Sequence, residues 1–172
     1  MRTKNFRAMM AMIFERCAVN KGMLPMVGRD GVTYYAGPST GAGYQSPNWA
    51  FQLNPNYAGL CAGTGATAES ENDYELDSMI TAGLAASVVT NPHLDGDGNP
   101  AVDFDILITN TSSETITIAE LGMKQSLSST TELDSASFGN RTFLIDRTVL
   151  AQPVAIPAGE YAVIRYTFTT PI

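Results

Sequence analysis

Oxygen-bearing side chains that could bind a cation occur in one short run of the chain. Asp95, Asp97 and Asn99 alternate with glycines, and such alternation is typical of calcium-binding loops. The helix-loop-helix type of calcium site also needs a glycine at its sixth position and a glutamate at its twelfth. Counted from Asp95, the sixth residue is Pro100 and the twelfth is not a glutamate. Asp-Gly pairs are also typical of turns that lead into a strand. We therefore predict a turn and no metal site, and the alternative is a structural cation bound by these residues.

Side chains suited to catalysis are few and scattered. The single histidine, His93, lies in a turn-like sequence with Asn91 and Pro92. Nucleophilic catalysis needs a base held beside its nucleophile, whereas a lone histidine in a turn is typically solvated. The segment Gly63-Thr64-Gly65 lacks the lysine and the strand–helix context of a phosphate-binding loop, and we expect a flexible turn. We therefore predict no catalytic residue, no cofactor and no enzyme activity.

The two cysteines are expected to be structural. Cys17 lies on the apolar face of a predicted helix, and Cys61 lies in an apolar run rich in glycine. Their spacing indicates neither a zinc site nor a disulfide framework. We predict two buried free thiols.

The composition indicates a folded chain with a weakly charged surface. Of 172 residues, 44% are hydrophobic and 16% are charged, against about 25% charged residues in an average soluble domain. Such a surface suits a protein that is partly covered by its neighbours in an assembly. Residues 1–30 carry a net charge of +4 and the remainder −11, so a basic arm could join adjacent copies or dock on an acidic partner. We expect neither direct nucleic acid binding nor a membrane-spanning segment.

Residues 1–22 are predicted to form a helical arm. Apolar residues recur at steps of three and four and therefore share one helix face; they are Phe6, Met9, Met10, Ile13, Phe14 and Cys17. Asn20 and Gly22 are typical of a helix end. The apolar face could pack on the chain's own domain or on another subunit. We favour another subunit, because the sequence that follows cannot build a compact helical domain around this face.

Residues 23–60 are predicted to be irregular and rich in glycine, proline and aromatic residues. Gly37-Pro38, Ser46-Pro47 and Asn54-Pro55 interrupt regular structure. We expect the aromatic side chains to anchor this segment on a core, and the alternative is that exposed rings stack on sugars. The residues concerned are Tyr34, Tyr35, Tyr44, Trp49, Phe51 and Tyr57. The acidic stretch 69–80 fits either a helix or an extended chain.

Residues 61–172 are predicted to form an antiparallel β-sandwich. Apolar residues alternate with others from Val102 to Ile108, which indicates a half-buried strand. Further strands are expected from residue 115 and around residues 143–150. The run from Val154 through a Pro157-Ala158-Gly159 turn to Thr169 predicts a hairpin. The predicted fold class is mainly β: an antiparallel sandwich with an N-terminal amphipathic helix and long irregular loops.

Three stretches of this sandwich, taken in order, resemble the small β-sandwich structural proteins of tailed bacteriophages. They are Cys61–Gly65 with the acidic region that contains Asp73-Tyr74-Glu75-Leu76 and Ile80, Ile108–Thr111 with Ile116–Met123, and Leu144–Leu150 with Pro153–Glu160 and the closing strand. The similarity covers about residues 60–170, and the order of the stretches is more distinctive than any one of them.

The resemblance implies a virion component, namely a capsid, neck or tail accessory protein that acts through protein–protein contacts. Its expected partners are other virion proteins and copies of itself, and it would assemble in the cytoplasm of the bacterial host. The alternative is a receptor- or glycan-binding module at the tail tip or particle surface. The resemblance implies no catalytic residues.

Overall fold

The computed structural model describes residues 2–15, 24–36, 50–131 and 139–169. These ranges contain one helix, α1 (Lys4–Glu15), and eight strands, which are β1 (Leu24–Val27), β2 (Thr33–Ala36), β3 (Gly59–Gly63), β4 (Leu84–Leu94), β5 (Pro100–Asn110), β6 (Ile116–Thr130), β7 (Gly139–Ile156) and β8 (Tyr161–Thr169). All paired strands in them are antiparallel. The predicted mainly β, antiparallel sandwich is confirmed.

The strands form a large sheet and a small sheet. In the large sheet β6 is central, with β7 on one side and with β3 and the β1–β2 hairpin on the other. The small sheet has the order β4-β5-β8. Apolar side chains from both sheets meet in a shared core, which includes Phe104, Ile106, Ile108, Ile118, Leu121, Ile145 and Ile164. Burial of this apolar surface is the main force that holds the two sheets together.

The strand β5 follows its predicted alternation, whereas its partner β4 departs from prediction. Phe104 and Ile106 lie on one face of the strand and are buried, whereas Leu107 lies on the opposite face and is 41% exposed. This is the pattern that the two-residue period of a strand requires. The turn predicted for residues 91–94 is wrong, because these residues continue β4 opposite β5. The turn comes at residues 95–99 instead.

The predicted hairpin from Val154 to Thr169 is also wrong. Its first arm ends β7 and pairs with β6, while β8 pairs with β5, so the intervening turn passes from the large sheet to the small one. Asn110 holds this turn, because its side-chain amide donates to the Ile156 carbonyl at 2.8 Å and its backbone carbonyl accepts the Gly159 N–H at 3.0 Å. Gly159 has a φ of 76°, the positive value that glycine adopts without steric cost.

The helix α1 packs on the chain's own sheets. The Phe6 ring is buried in the shared core, with its centroid 5.4 Å from that of Phe168. The Asn5 side chain donates to and accepts from the backbone of Val27, at 2.8 Å in each case. At these residues the contacts support packing on the chain's own domain. Residues 16–23, including Cys17, lie outside the described residues.

The basic residues of α1 also contact the chain itself. Arg7 approaches Glu71 to 3.0 Å, and Lys4 lies 3.7 Å from the same carboxylate. Lys4 donates a further hydrogen bond to the Asn72 side chain at 2.7 Å. The acidic partner of this part of the arm is therefore the stretch 69–80, which contains neither a helix nor a named strand.

The segment predicted to be irregular contributes two strands to the large sheet. Tyr34 on β2 is buried, and its ring packs edge-on against Phe143 with 6.2 Å between centroids. Aromatic anchoring is confirmed at this position. Tyr57 is 60% exposed, and Tyr44 and Trp49 lie outside the described residues.

Candidate functional site

A buried cluster of charged side chains lies on the large sheet, and the sequence analysis did not predict it. The Glu120 side chain is fully buried, and that of Arg147 is 3% exposed. Arg147 binds Glu120 through Nε and Asp73 through Nη1, both at 2.8 Å, and donates to the Thr67 carbonyl at 3.1 Å. A buried ion pair is tolerated when further hydrogen bonds satisfy its remaining atoms.

Backbone groups complete the shell around Glu120. Its carboxylate accepts the N–H groups of Gly65, Asp77 and Ser78 at 3.2, 3.1 and 2.8 Å. A Cβ atom at Gly63 would lie 2.3 Å from Glu120 Oε1, closer than a real contact, so only glycine fits there. The predicted flexible turn is thus a cradle for the chain's own carboxylate, and the cluster fastens residues 64–78 to the sheet. An acidic residue within the apolar run 118–123 was the available signal.

The predicted turn at residues 95–99 is confirmed. Asp95 Oδ1 accepts the N–H groups of Asp97 and Asn99 at 2.9 and 2.8 Å. These bonds, those from Asn99 above all, lower the pKa of Asp95. The carboxylate is therefore engaged by the turn itself. In the described ranges no three His, Cys, Asp or Glu side chains lie close enough to hold a metal.

The side chains that sequence analysis weighed for catalysis lie apart from the charged cluster or outside the described residues. His93 is exposed on β4, where its Nδ1 lies 3.2 Å from the Asn91 carbonyl. Cys61 is a buried free thiol, as predicted, and burial raises its pKa to about 11. A Gly-x-Ser-x-Gly string at residues 37–41 also falls outside the described part of the chain.

A second buried acid lies beneath α1. Asp146 accepts a hydrogen bond from the Tyr166 hydroxyl, and burial raises the pKa of both groups. Beside them is an open depression of about 580 Å³ lined by Arg2, Phe6, Arg7, Thr148, Thr167, Phe168 and Thr169. The pair joins β7 of the large sheet to β8 of the small one.

A polar groove lies between the β1–β2 hairpin and β7. Its volume is about 360 Å³, and its lining includes Arg29, Asp30, Tyr34, Asn140 and Arg141. The Arg141 guanidinium lies 5.4 Å from the Tyr34 ring centroid, a typical cation–π distance. This groove offers several hydrogen-bond donors to a polar or anionic ligand.

An adjoining cavity of about 240 Å³ contains Lys124 in its lining. The Lys124 Nζ donates to the Pro55 carbonyl at 3.1 Å. Burial lowers the pKa of this amine. Glu75 and Asp77 also line the cavity, so its charge is mixed and favours no single ligand class.

The outer face of the small sheet carries an apolar patch, which we call the outer patch. It consists of Val89, Leu107, Tyr161 and Val163, exposed by 66, 41, 67 and 63%. Leu107 and Val163 are direct cross-strand partners, and the other two lie one row away. Contiguous exposed apolar side chains are a feature of protein contact surfaces.

Comparisons of the chain with known protein families, characterised proteins and solved structures give no match. Among the described residues, no helix is long and apolar enough to cross a bilayer.

Proposed function

We propose that the chain is a structural component of a tailed-phage virion, a capsid, neck or tail accessory protein that acts through contacts with adjacent subunits. The outer patch is the observation that carries the contact role. Its aliphatic and aromatic groups are in water in the single chain, and covering them with another subunit is favourable. The resemblance of residues 60–170 to phage structural proteins supplies the virion setting.

The distribution of polar groups supports the same role. Arg147, Glu120 and Asp73 are saturated by one another and by backbone groups, which suits a structural cluster better than a reactive one. The small sheet, by contrast, leaves its outer face exposed. A chain with 16% charged residues also has little charged surface to desolvate when copies or partners pack together.

Incorporation into particles tests the proposal. The double substitution Leu107→Asp with Val163→Asp places two carboxylates in the centre of the outer patch, and both sites are exposed. The matched control is Thr117→Asp with Ala155→Asp, an exposed cross-strand pair on the large sheet. We expect the patch variant to fold but to be depleted from purified particles by about tenfold or more, with the control incorporated normally. Normal incorporation of the patch variant would contradict the contact role.

Glycan or receptor recognition is the second candidate, and the polar groove favours it. Arg29, Arg141, Asn56 and Asn140 could together donate to a sugar, and the Asp30 carboxylate in the same lining could accept from its hydroxyls. A glycan array with the purified chain distinguishes the two functions. A specific signal that Arg141→Ala abolishes would favour recognition over a purely structural role.

A further inference from the structure

The hydrogen bonds at both ends of β4 show which of its backbone groups face outward. Thr111 N–H donates to the Gly83 carbonyl at 2.8 Å, and Asp95 N–H donates to the Asn99 carbonyl at 2.9 Å. Hydrogen-bonded pairs alternate along an antiparallel ladder. The odd-numbered residues from 85 to 93 therefore direct their N–H and C=O groups towards β5, and the even-numbered residues direct theirs away from it.

The outward-facing backbone of β4 forms an open strand edge. Leu84, Ala86, Val88, Thr90 and Leu94 present N–H groups for which the described residues provide no acceptor. Pro92 also falls on this side, where its missing N–H removes no bond from the ladder, as expected on an edge strand. Nine of the eleven β4 residues are exposed. The chemistry of such an edge is specific, because its complement is another β-strand.

The edge of the large sheet at β7, unlike the edge at β4, has partners for some of its outward-facing backbone groups. Along β7, the Thr3 N–H donates to the Ile145 carbonyl at 3.2 Å, and Glu69 accepts the Val149 N–H at 2.7 Å. Proteins usually cover such edges, or place charges or proline on them, to prevent pairing, and β4 has one such residue, Pro92, near its end. β4 contains no Asp, Glu, Lys or Arg, in a chain of net charge −7. Two copies could therefore approach along this strand without repulsion between charged side chains.

We propose that β4 pairs antiparallel with β4 of a second copy, which joins two small sheets into one continuous sheet. A two-fold axis at Val88 places Ala86 opposite Thr90 and Leu84 opposite Pro92 of the other copy. All these residues belong to the outward-facing set, so their backbone groups meet in the register of an antiparallel ladder, in which Pro92 has no N–H and only accepts. The inference rests on the proposed function and deepens it, because it names the surface through which copies join.

The other edge strand of the small sheet, β8, is less suited to pair with itself. Asn110 N–H donates to the Glu160 carbonyl at 2.9 Å, so the odd-numbered residues of β8 face away from β5 by the same alternation. Arg165 lies at the middle of that set. A two-fold axis there would place two guanidinium groups opposite each other, and like charges in that position are destabilising. The uncharged edge of β4 avoids this cost.

Charge substitutions across the proposed axis test both the contact and its register. Sedimentation equilibrium of the purified full chain should give a mass twice the 18.4 kDa of one chain as concentration rises. The variant A86K/T90K places like charges opposite each other in two symmetric pairs. The dissociation constant of the dimer should therefore rise about tenfold. The variant A86K/T90E places opposite charges there and should restore dimerisation. Both sites are exposed, so both variants should fold.

Amide exchange gives a residue-level result from the same protein. In the dimer, the amides of Ala86, Val88 and Thr90 should exchange slowly, and dilution to the monomer should release them. The amides of Ser87 and Val89 bond to β5 and should remain slow in both states. A monomer at all concentrations, or equal dimerisation of the two charge variants, would overturn the inference. A monomer that still enters particles would overturn β4 pairing while the proposed function stands.

Discussion

Replacing Arg147 should lower the free energy of unfolding far more than replacing an exposed arginine. Its guanidinium contacts Glu120 and Asp73 at 2.8 Å each, and Glu120 is fully buried. Arg147→Met keeps much of the side-chain volume but leaves a buried carboxylate without its cation, which costs about 3–5 kcal/mol. Urea unfolding should show this as a lower transition midpoint.

Arg165→Met is the matched control for that loss. Arg165 also binds a carboxylate, that of Asp105 at 2.7 Å, but its side chain is 62% exposed. Water and salt screen such a pair, so its removal should matter far less. Equal losses of unfolding free energy in the two variants would show that the buried cluster stabilises the fold no more than an exposed ion pair does.

Asp146 should give the stability of the protein a pH dependence opposite in sign to that of an ordinary surface aspartate. Burial raises its pKa, although the Tyr166 hydroxyl donates to it. Because the folded chain then holds the proton more tightly than the unfolded chain, this contribution is fully present below the unfolded value of about 3.8 and is lost as pH rises through the folded pKa.

Asp146→Asn removes that titration and keeps an oxygen that can accept the Tyr166 hydroxyl. The free energy of unfolding of the variant, minus that of the wild type, should therefore increase as pH rises from about 4 towards neutrality. Denaturant unfolding at several pH values measures this difference. A difference that stays constant over the range would contradict a raised pKa at Asp146.

At the scale of elements, the turn between β7 and β8 depends on Asn110. Its side-chain amide donates to the carbonyls of Ile156 and Glu114, at 2.8 and 2.6 Å, and the residue is fully buried. Asn110→Ala leaves these carbonyls without that donor and should cost about 1–3 kcal/mol. The exposed Asn140→Ala provides the control in the same unfolding assay, and we expect little change there.

Local sequence patterns predicted which segments are strands better than which strands pair. Alternation over residues 102–108 and 161–169 is strong because each strand has one face in the core. The pattern around Val154 did not indicate that this part of β7 would pair with β6, since strand pairing depends on residues distant in sequence. The strand β4 was missed because Pro92 and Asn91 are typical of turns, and an open edge tolerates them.

The charged cluster lay beyond prediction for the same physical reason. Arg147 on β7 bonds to Glu120 on β6 and to Asp73 and Thr67 in the segment 64–78, so the cluster joins three separate parts of the chain. Only the fold brings these groups together. The glycines at 63 and 65 were read as a flexible turn, although their lack of a Cβ is what admits the Glu120 carboxylate.

At the scale of the whole molecule, the two sheets have different roles. The large sheet holds the buried Arg147–Glu120 pair and the covered edge, and the N-terminal segment packs on it through Thr3 and Asn5. The small sheet presents the outer patch and the open edge of β4. Deleting residues 1–22 would remove Phe6 from the core, so a deletion that fails to assemble would report unfolding as well as lost contacts. Substitutions on the small sheet avoid this ambiguity.

The composition of purified particles tests the central claim most directly. Quantitative mass spectrometry should find the chain at a fixed ratio to the major virion proteins, and that ratio should persist through density-gradient purification. A structural subunit held by many contacts gives this result, because repeated copies multiply weak interactions into stable assembly. Abundant chain in the infected-cell lysate, with none in the purified particles, would contradict the account.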